Sequence, residues 1–330
     1  MFFGDARAIE QVYAQGRRER VAALTHLLEG CVAPPTIEED FARYWQSLGA
    51  VEAIFATWGM PELSASQLDA MPNLRAVFYA AGSVRSFAEP LLERGITLVS
   101  AWQANAIPVA EFVLAQILLA GKGYWANTRD CASPQGRARG AFVGPGNFGE
   151  TVALLGAGAI GRRVIELLRP FSLRVVVFDP FLPEPAAREL GVEKVSLYHA
   201  FERGLVVSNH LASNTQTVEM LSGALFARMR PHATFINTGR GQTVDEKALI
   251  QVLSARPDLC ALLDVTYPKS PAPDSPLYSL PNVHLTSHIA GSLGDETVRL
   301  ADYAIEEFIA WRQGFPLRFA VNLQLLETMA

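Results

Sequence analysis

Cysteine is scarce in this chain. Cys31, Cys131 and Cys260 are the three thiols among 330 residues. Their number is odd and they show no metal-ligand spacing, which argues against a disulfide framework or zinc ribbon and for a reducing compartment. A concentrated positive field is also missing. The formal net charge is −5. Arg17, Arg18 and Arg20 stand close together, whereas Arg137, Arg139, Arg162 and Arg163 are scattered through polar or helical sequence. They read as solvated faces, so no nucleic-acid partner is expected, because phosphate binding needs clustered cations. Long apolar runs are lacking too. Ile107–Gly121 is interrupted by Glu111 and Gln116 and reads as too short and too polar to span a bilayer, so no membrane partner is expected. The opening residues carry Asp5, Arg7 and Glu10 where a signal peptide would be apolar. A cytoplasmic location is therefore expected. Neither an internal repeat nor a low-complexity segment is visible. His26, His199 and His232 have no supporting context, and no metal set is apparent.

What is present is a well-packed chain. Half of its residues are hydrophobic and 18% are charged, and its length suits two domains. Residues 7–29 read as one helix. Short apolar runs at 51–56, 74–80 and 96–100 alternate with helical patterns, as in a parallel sheet. A long helix is predicted from Pro108 to about Lys122, with the proline in its first turn, and 127–150 reads as an exposed connection. Strands are predicted at 152–155, 174–178, 205–208, 233–237, within 258–264 and at 283–286. Helices are predicted at 184–190, 226–230 and 245–255, with Asp245 as a cap. That gives six strands, a complete doubly wound sheet, followed by a final helix at 294–314.

The strongest local signal lies mid-chain. Thr151-Val-Ala-Leu-Leu-Gly156-Ala-Gly158-Ala159-Ile160-Gly161 runs from a buried-strand pattern into a glycine turn, and Asp179 ends the next apolar run. This is the order of a dinucleotide site. Gly156 allows the tight turn, Gly158 lets the backbone approach a pyrophosphate, and Gly161 permits close helix–sheet packing. The helix N-terminus offers free N–H groups to the anion. A carboxylate at Asp179 accepts from a ribose hydroxyl and repels a 2′-phosphate, which favours NAD(H).

Further blocks widen the pattern: Asn105-Ala-Ile-Pro-Val-Ala-Glu111, Ser208-Asn-His-Leu-Ala-Ser-Asn-Thr-Gln-Thr217, Phe235-Ile-Asn-Thr-Gly-Arg-Gly241, Leu263-Asp-Val265 and Leu285-Thr-Ser-His-Ile-Ala-Gly291. With these blocks in this order, the chain resembles the D-isomer-specific 2-hydroxyacid dehydrogenases over nearly its whole length. The resemblance implies an α/β fold in which a doubly wound parallel (Rossmann) cofactor domain, 104–293, is inserted in a smaller flavodoxin-like α/β substrate domain made of 1–103 and 294–330. It implies a homodimer joined through the cofactor domain and the helix near 108–122. It also implies NAD(H)-dependent interconversion of a D-2-hydroxy acid and a 2-keto acid, expected to run mainly as reduction of a glyoxylate- or hydroxypyruvate-like acid.

The same resemblance distributes the roles. Arg240 binds the substrate carboxylate and polarises the C2 oxygen, as a guanidinium suits. His288 is the general acid–base, with an ordinary pKa near neutrality. The backbone of Ala81, Gly82 and Ser83 holds the substrate carboxylate. The cofactor is contacted by Gly156, Gly158, Ala159, Ile160, Gly161, Asp179, His210, Thr238, Asp264, His288 and Gly291, with Asp264 on the nicotinamide side. Plainer readings stand beside these: a surface arginine, a packed loop histidine and an ordinary strand-to-helix turn. Tyr79, Arg85, Trp58 and Met60 are weaker candidates for the substrate side, and His284 reads as structural.

One position departs from the family pattern. Asp264-Val-Thr-Tyr-Pro-Lys269-Ser-Pro271 carries Lys269 where the family has a glutamate that bonds the catalytic histidine and raises its pKa. A lysine cannot accept that bond, and an ammonium nearby pushes the imidazole pKa down. Three readings follow: Lys269 points to solvent and activity persists with a shifted pH profile; Lys269 binds a second acidic group of the substrate; or the protein binds NAD(H) as a catalytically weak, redox-responsive regulatory or interaction protein.

Overall fold

The computed structural model describes residues 1–328. The chain divides into two compact units. One holds Met1–Asn105 together with residues 292–328; the other is Ala106–Gly291.

The first unit is built on strands β1 (Phe2–Phe3), β2 (Cys31–Val32), β3 (Ala53–Ala56), β4 (Ala76–Tyr79) and β5 (Thr97–Ser100). They are parallel in the order 5-4-3-1-2, the flavodoxin-like order. Alternation along the strands gives the sheet two apolar faces. Phe3, Ile54, Val77 and Leu98 face a core closed by Phe41, Leu68 and Leu91 of the helices Ile37–Leu48, Ala65–Asp69 and Ala88–Glu93. Phe2, Phe55, Phe78 and Val99 face Ile9, Val21, Ile305 and Phe308. Those residues come from the helices Ala6–Val12, Arg17–Leu24 and Val298–Arg312.

The second unit holds β6 (Thr151–Leu155), β7 (Arg174–Phe178), β8 (Glu193–Lys194), β9 (Val206–Asn209), β10 (Thr234–Asn237), β11 (Cys260–Leu263) and β12 (Val283–Leu285). All are parallel, in the order 8-7-6-9-10-11-12. The order reverses between β6 and β9, and the crevice at such a reversal is where open α/β sheets bind ligands. One face packs on Val109, Val113 and Ile117 of the long helix and on Val164 and Ile165 of the helix Ala159–Leu168. The other packs on Phe201, Phe226, Leu249 and Leu253. The last strand, β13 (Ala320–Val321), returns to the first sheet antiparallel to β5.

Several sequence expectations change. The helix read over 7–29 is two, Ala6–Val12 and Arg17–Leu24, broken where Gln15 and Gly16 adopt positive φ (53° and 84°). The sheet of six strands has a seventh, β8, whose Glu193-Lys194 carries no apolar signal because it is an edge. The two-residue strands β1, β2 and β13 were too short for periodicity to reveal. The helix at 226–230 is Gly223–Phe226. The helix expected at 294–314 as the final one starts as a 3-10 turn, Gly294–Thr297, continues as Val298–Arg312, and is followed by a further helix, Leu323–Thr328. The connection at 127–150 contains helices Tyr124–Asp130 and Pro134–Ala138, folded back by Asn127 Nδ2 donating to the Phe142 carbonyl and Phe142 N–H donating to Asp130. The long helix is Trp102–Gly121, with Pro108 inside it rather than in its first turn. At 20 residues it is long and apolar enough to cross a bilayer by length and composition alone, contrary to the sequence reading. Half of that window is buried within the protein.

The return of β13 depends on Glu307. Its buried carboxylate accepts from the backbone N–H groups of Arg318 and Phe319 and from Arg318 Nε. Glu307→Ala would strand two backbone donors beside the helix Val298–Arg312. It is expected to lower unfolding free energy by about 2–4 kcal/mol, measurable as an earlier urea transition of tryptophan fluorescence.

Candidate active site

The candidate site of the second unit is made by loops at the carboxyl ends of its strands. The glycine turn after β6 is the first. Gly156 has φ +100°, and a Cβ there would lie about 3.0 Å from the His210 carbonyl oxygen, so the loops after β6 and β9 can approach only without a side chain. At Gly161 a Cβ would collide with the Gly156 carbonyl. Gly158 differs: a Cβ would meet nothing within 4 Å. It caps the helix Ala159–Leu168 with no side-chain hydrogen bond, so the first-turn N–H groups of Ala159, Ile160 and Gly161 have no capping side chain and face an open cradle. These are the properties of a pyrophosphate seat.

Asp179 was expected at a ribose. Its carboxylate accepts from Ala157 N–H (2.7 Å), Phe181 N–H (2.7 Å) and Leu182 N–H (3.2 Å). It therefore locks the glycine turn to the end of β7, a role the sequence reading missed. Arg162, beside the turn, donates to the Ala157 carbonyl (2.9 Å) and was also missed.

At the ends of β9 and β10 lies a buried amide network. Asn209 Nδ2 donates to Asn237 Oδ1 (3.0 Å) and to Thr243 Oγ1 (2.8 Å), while Thr243 Oγ1 donates to the Arg240 carbonyl (2.7 Å). Asn237 Oδ1 also accepts from Gly239 N–H. Asn209, Asn237 and Thr243 are almost fully buried, so this network is costly to break. It fixes the turn from which Arg240 projects. The Arg240 guanidinium itself donates to the Gly239 carbonyl (2.9 Å). His210 is buried, its ring 3.0 Å from Ser208 Oγ and 3.5 Å from Thr238 Oγ1. Burial pushes its pKa down to about 3, so the ring is neutral and works as a packed hydrogen-bonding wall.

At the ends of β11 and β12, Asp264 is buried and holds the following loop. Its Oδ1 accepts from the Thr286 hydroxyl (2.6 Å) and Ile289 N–H (2.7 Å), and its Oδ2 from Ala290 N–H (3.0 Å). These bonds bracket His288, whose φ is +64°. A non-glycine residue in that region costs on the order of 1 kcal/mol and persists only where its surroundings over-determine it. His288 is exposed, with a pKa below the ordinary histidine value. Partial desolvation is the first cause; the Asp264 charge opposes it, and the Arg240 and Lys269 charges add to it.

The loop bearing Lys269 is fixed at three points. The Thr266 hydroxyl donates to the carbonyls of Pro268 (2.9 Å) and Lys269 (3.1 Å). The Tyr267 N–H donates to the Glu246 carboxylate. Gly241 lies against the Thr266 carbonyl so closely that a Cβ there would collide with it, which packs the Arg240 turn onto the Lys269 loop. The Arg240 turn and the Lys269 loop are thus packed together within one unit.

A family model described as "D-isomer specific 2-hydroxyacid dehydrogenase, NAD binding domain" matches residues 114–290, more than half of the chain. The chain belongs to the D-isomer specific 2-hydroxyacid dehydrogenase family. Among its relatives in this family is D-3-phosphoglycerate dehydrogenase of Archaeoglobus fulgidus, 29% identical over 81% of this chain and 50% of that protein. Another is glyoxylate reductase of Korarchaeum cryptofilum, 30% identical over 76% of this chain and 77% of that protein. The structure of a phosphoglycerate oxidoreductase from Rhizobium etli superposes with a TM-score of 0.77 at 26% identity, covering 97% of this chain and 96% of that one. The chain spans about half the length of the D-3-phosphoglycerate dehydrogenases it matches. NAD(H) is the cofactor of this family's binding domain, and the glycine turn with its open Gly158 fits it.

Ala81, Gly82 and Ser83, the remaining family-matched candidates, belong to the first unit. There the Ser100 hydroxyl donates to the carbonyls of Ala81 and Gly82, which ties the carbonyl side of that turn. The weaker candidates divide. Tyr79 and Met60 are buried in the core, Tyr79 against Phe87. Arg85 donates to the Leu326 carbonyl. Trp58 is exposed. His284 packs against Trp125, as a structural histidine does.

The glycines separate folding from binding. Gly158→Ala places its methyl in open space, so thermal stability is expected to be retained while NADH affinity falls about tenfold, or about 1.4 kcal/mol. Gly161→Ala is expected to lower the melting temperature itself. NADH fluorescence titration and a thermal melt on both variants distinguish the two effects.

Proposed function

We propose that the protein is an NAD(H)-dependent oxidoreductase that interconverts a D-2-hydroxy acid and a 2-keto acid, mainly as a 2-keto acid reductase. The observation that carries this reading is the convergence of Arg240 and His288 at the carboxyl ends of the strands of an NAD-binding sheet. Bound NADH supplies the hydride for C2. Arg240 grips the substrate carboxylate and draws electron density toward the keto oxygen, as a planar guanidinium does well. His288, as imidazolium, donates its proton to that oxygen; in the reverse direction the neutral ring accepts it. Asp264 holds the histidine loop in place and supplies a negative charge that favours the protonated ring.

Lys269 in place of the expected glutamate gives this reading a pH condition. The His288 pKa is depressed, so the imidazolium needed for reduction is the minor form near neutrality. Reduction is therefore expected to quicken as pH falls toward and below the His288 pKa, and oxidation to be favoured above it. Lys269→Glu replaces a repelling charge with an attracting one. It is expected to move the reductive limb of the pH–rate profile to higher pH, read at 340 nm with glyoxylate, hydroxypyruvate or pyruvate. An unmoved profile would show that position 269 does not act on His288. Saturable NADH binding with no turnover of any 2-keto acid would favour the weakly catalytic binding protein instead.

The protein is further read as a homodimer formed through the cofactor unit. Val143 and Phe148 of the folded-back segment are 76% and 85% exposed, costly for large apolar side chains left in water. Sedimentation equilibrium is expected to give the mass of two chains, and Phe148→Asp to shift it toward one.

A further inference from the structure

Among the described residues, Asp264 favours the protonated ring of His288, while Arg240 and Lys269 disfavour it. Asp264 is buried and already accepts three hydrogen bonds from its own loop. The two cations stand on neighbouring loops, Arg240 after β10 and Lys269 after β11. Arg240 is suited to the C1 carboxylate of a 2-oxo acid. Lys269 is exposed and, among the described residues, its ammonium makes no hydrogen bond or ion pair.

A lysine of this kind is ordinarily a solvated surface charge that swings freely on its stem. Here the backbone that carries it is held. Thr266 ties the carbonyls of Pro268 and Lys269, Glu246 holds Tyr267 N–H, and the missing Cβ of Gly241 lets the Arg240 turn pack against Thr266. The positive charge is thus carried on a loop packed against the Arg240 turn, and it acts on a histidine that is itself positive before it gives up its proton in reduction. Like charges brought together cost free energy, and an anion placed among them recovers it.

We propose that Lys269 selects 2-oxo acids that carry a second carboxylate. This rests on the dehydrogenase reading above and specifies its substrate class. Arg240 takes the C1 carboxylate and Lys269 the distal one, so each anion meets one cation. One ammonium matches the single charge of a carboxylate better than a phosphate monoester, which carries −1.5 to −2 near neutral pH. A single lysine on an exposed loop does not make an absolute filter, because salt and solvent screen it. The expected discrimination is roughly tenfold.

The test pairs substrates of equal chain length with the purified full chain and NADH: oxaloacetate with 2-oxobutyrate, 2-oxoglutarate with 2-oxopentanoate, and 2-oxoadipate with 2-oxohexanoate. At least one dicarboxylate is expected to exceed its partner in kcat/KM. In Lys269→Met that ratio is expected to fall about tenfold, mostly through KM, and Lys269→Arg is expected to keep it. The ratio matters because any change in the His288 pKa acts on both members of a pair equally. Turnover of the monocarboxylates with a ratio that Lys269→Met leaves unchanged overturns the proposal while leaving the dehydrogenase reading intact. A phosphorylated 2-oxo acid preferred over every dicarboxylate overturns the choice of carboxylate. Failure to reduce any 2-oxo acid, with NADH still bound, removes the dehydrogenase reading and this proposal together.

Discussion

The Asp264 carboxylate is the interaction on which the arrangement of the site depends. It is a buried charge, and a buried charge must be fully hydrogen-bonded. Its partners, the Thr286 hydroxyl and the N–H groups of Ile289 and Ala290, all come from the loop after β12. Satisfying the carboxylate therefore fixes that loop and holds His288 in a left-handed conformation it would otherwise avoid. The same anion, among the described residues, favours the protonated imidazole. One group thus sets both the position and the electrostatics of the candidate acid–base.

The cofactor half repeats this device. Asp179 also ends a strand and also spends its carboxylate on backbone N–H groups, there those of Ala157, Phe181 and Leu182. Between the two aspartates, the buried Asn209–Asn237–Thr243 network clips the loops after β9 and β10. Loops at the carboxyl ends of parallel strands have no ladder to hold them. In this unit short, buried polar side chains supply the missing bonds. Lys269, by contrast, is an exposed residue on its loop.

The depth to which the sequence could be read follows from the range of the forces involved. Six of the seven parallel strands of the second sheet were legible because they are apolar runs with a turn signal at the end, as at Val152–Leu155 and Phe235–Asn237. The glycine turn was legible because only glycine meets its steric limits. The edge strand Glu193–Lys194 and the paired residues Phe2–Phe3 were not, because two residues carry no period. The folded-back segment after Gly123 was hidden for another reason. Its order comes from polar contacts such as Asn127 with Phe142 and Asp130 with Phe142, which polar composition alone does not announce.

The sequence by itself determined the family, the parallel sheets and the residue types at the site, including the lysine at position 269. These depend on local pattern and on the order of motifs along one chain. Only the tertiary structure decided what each group does with its bonds. Asp179 and Asp264 look like ligand contacts in one dimension, but both are largely committed to backbone donors up to twenty-six positions away. Whether the Lys269 ammonium meets a partner was likewise left open by the sequence, because hydrogen-bond satisfaction and electrostatic proximity are set by distance in space rather than separation along the chain.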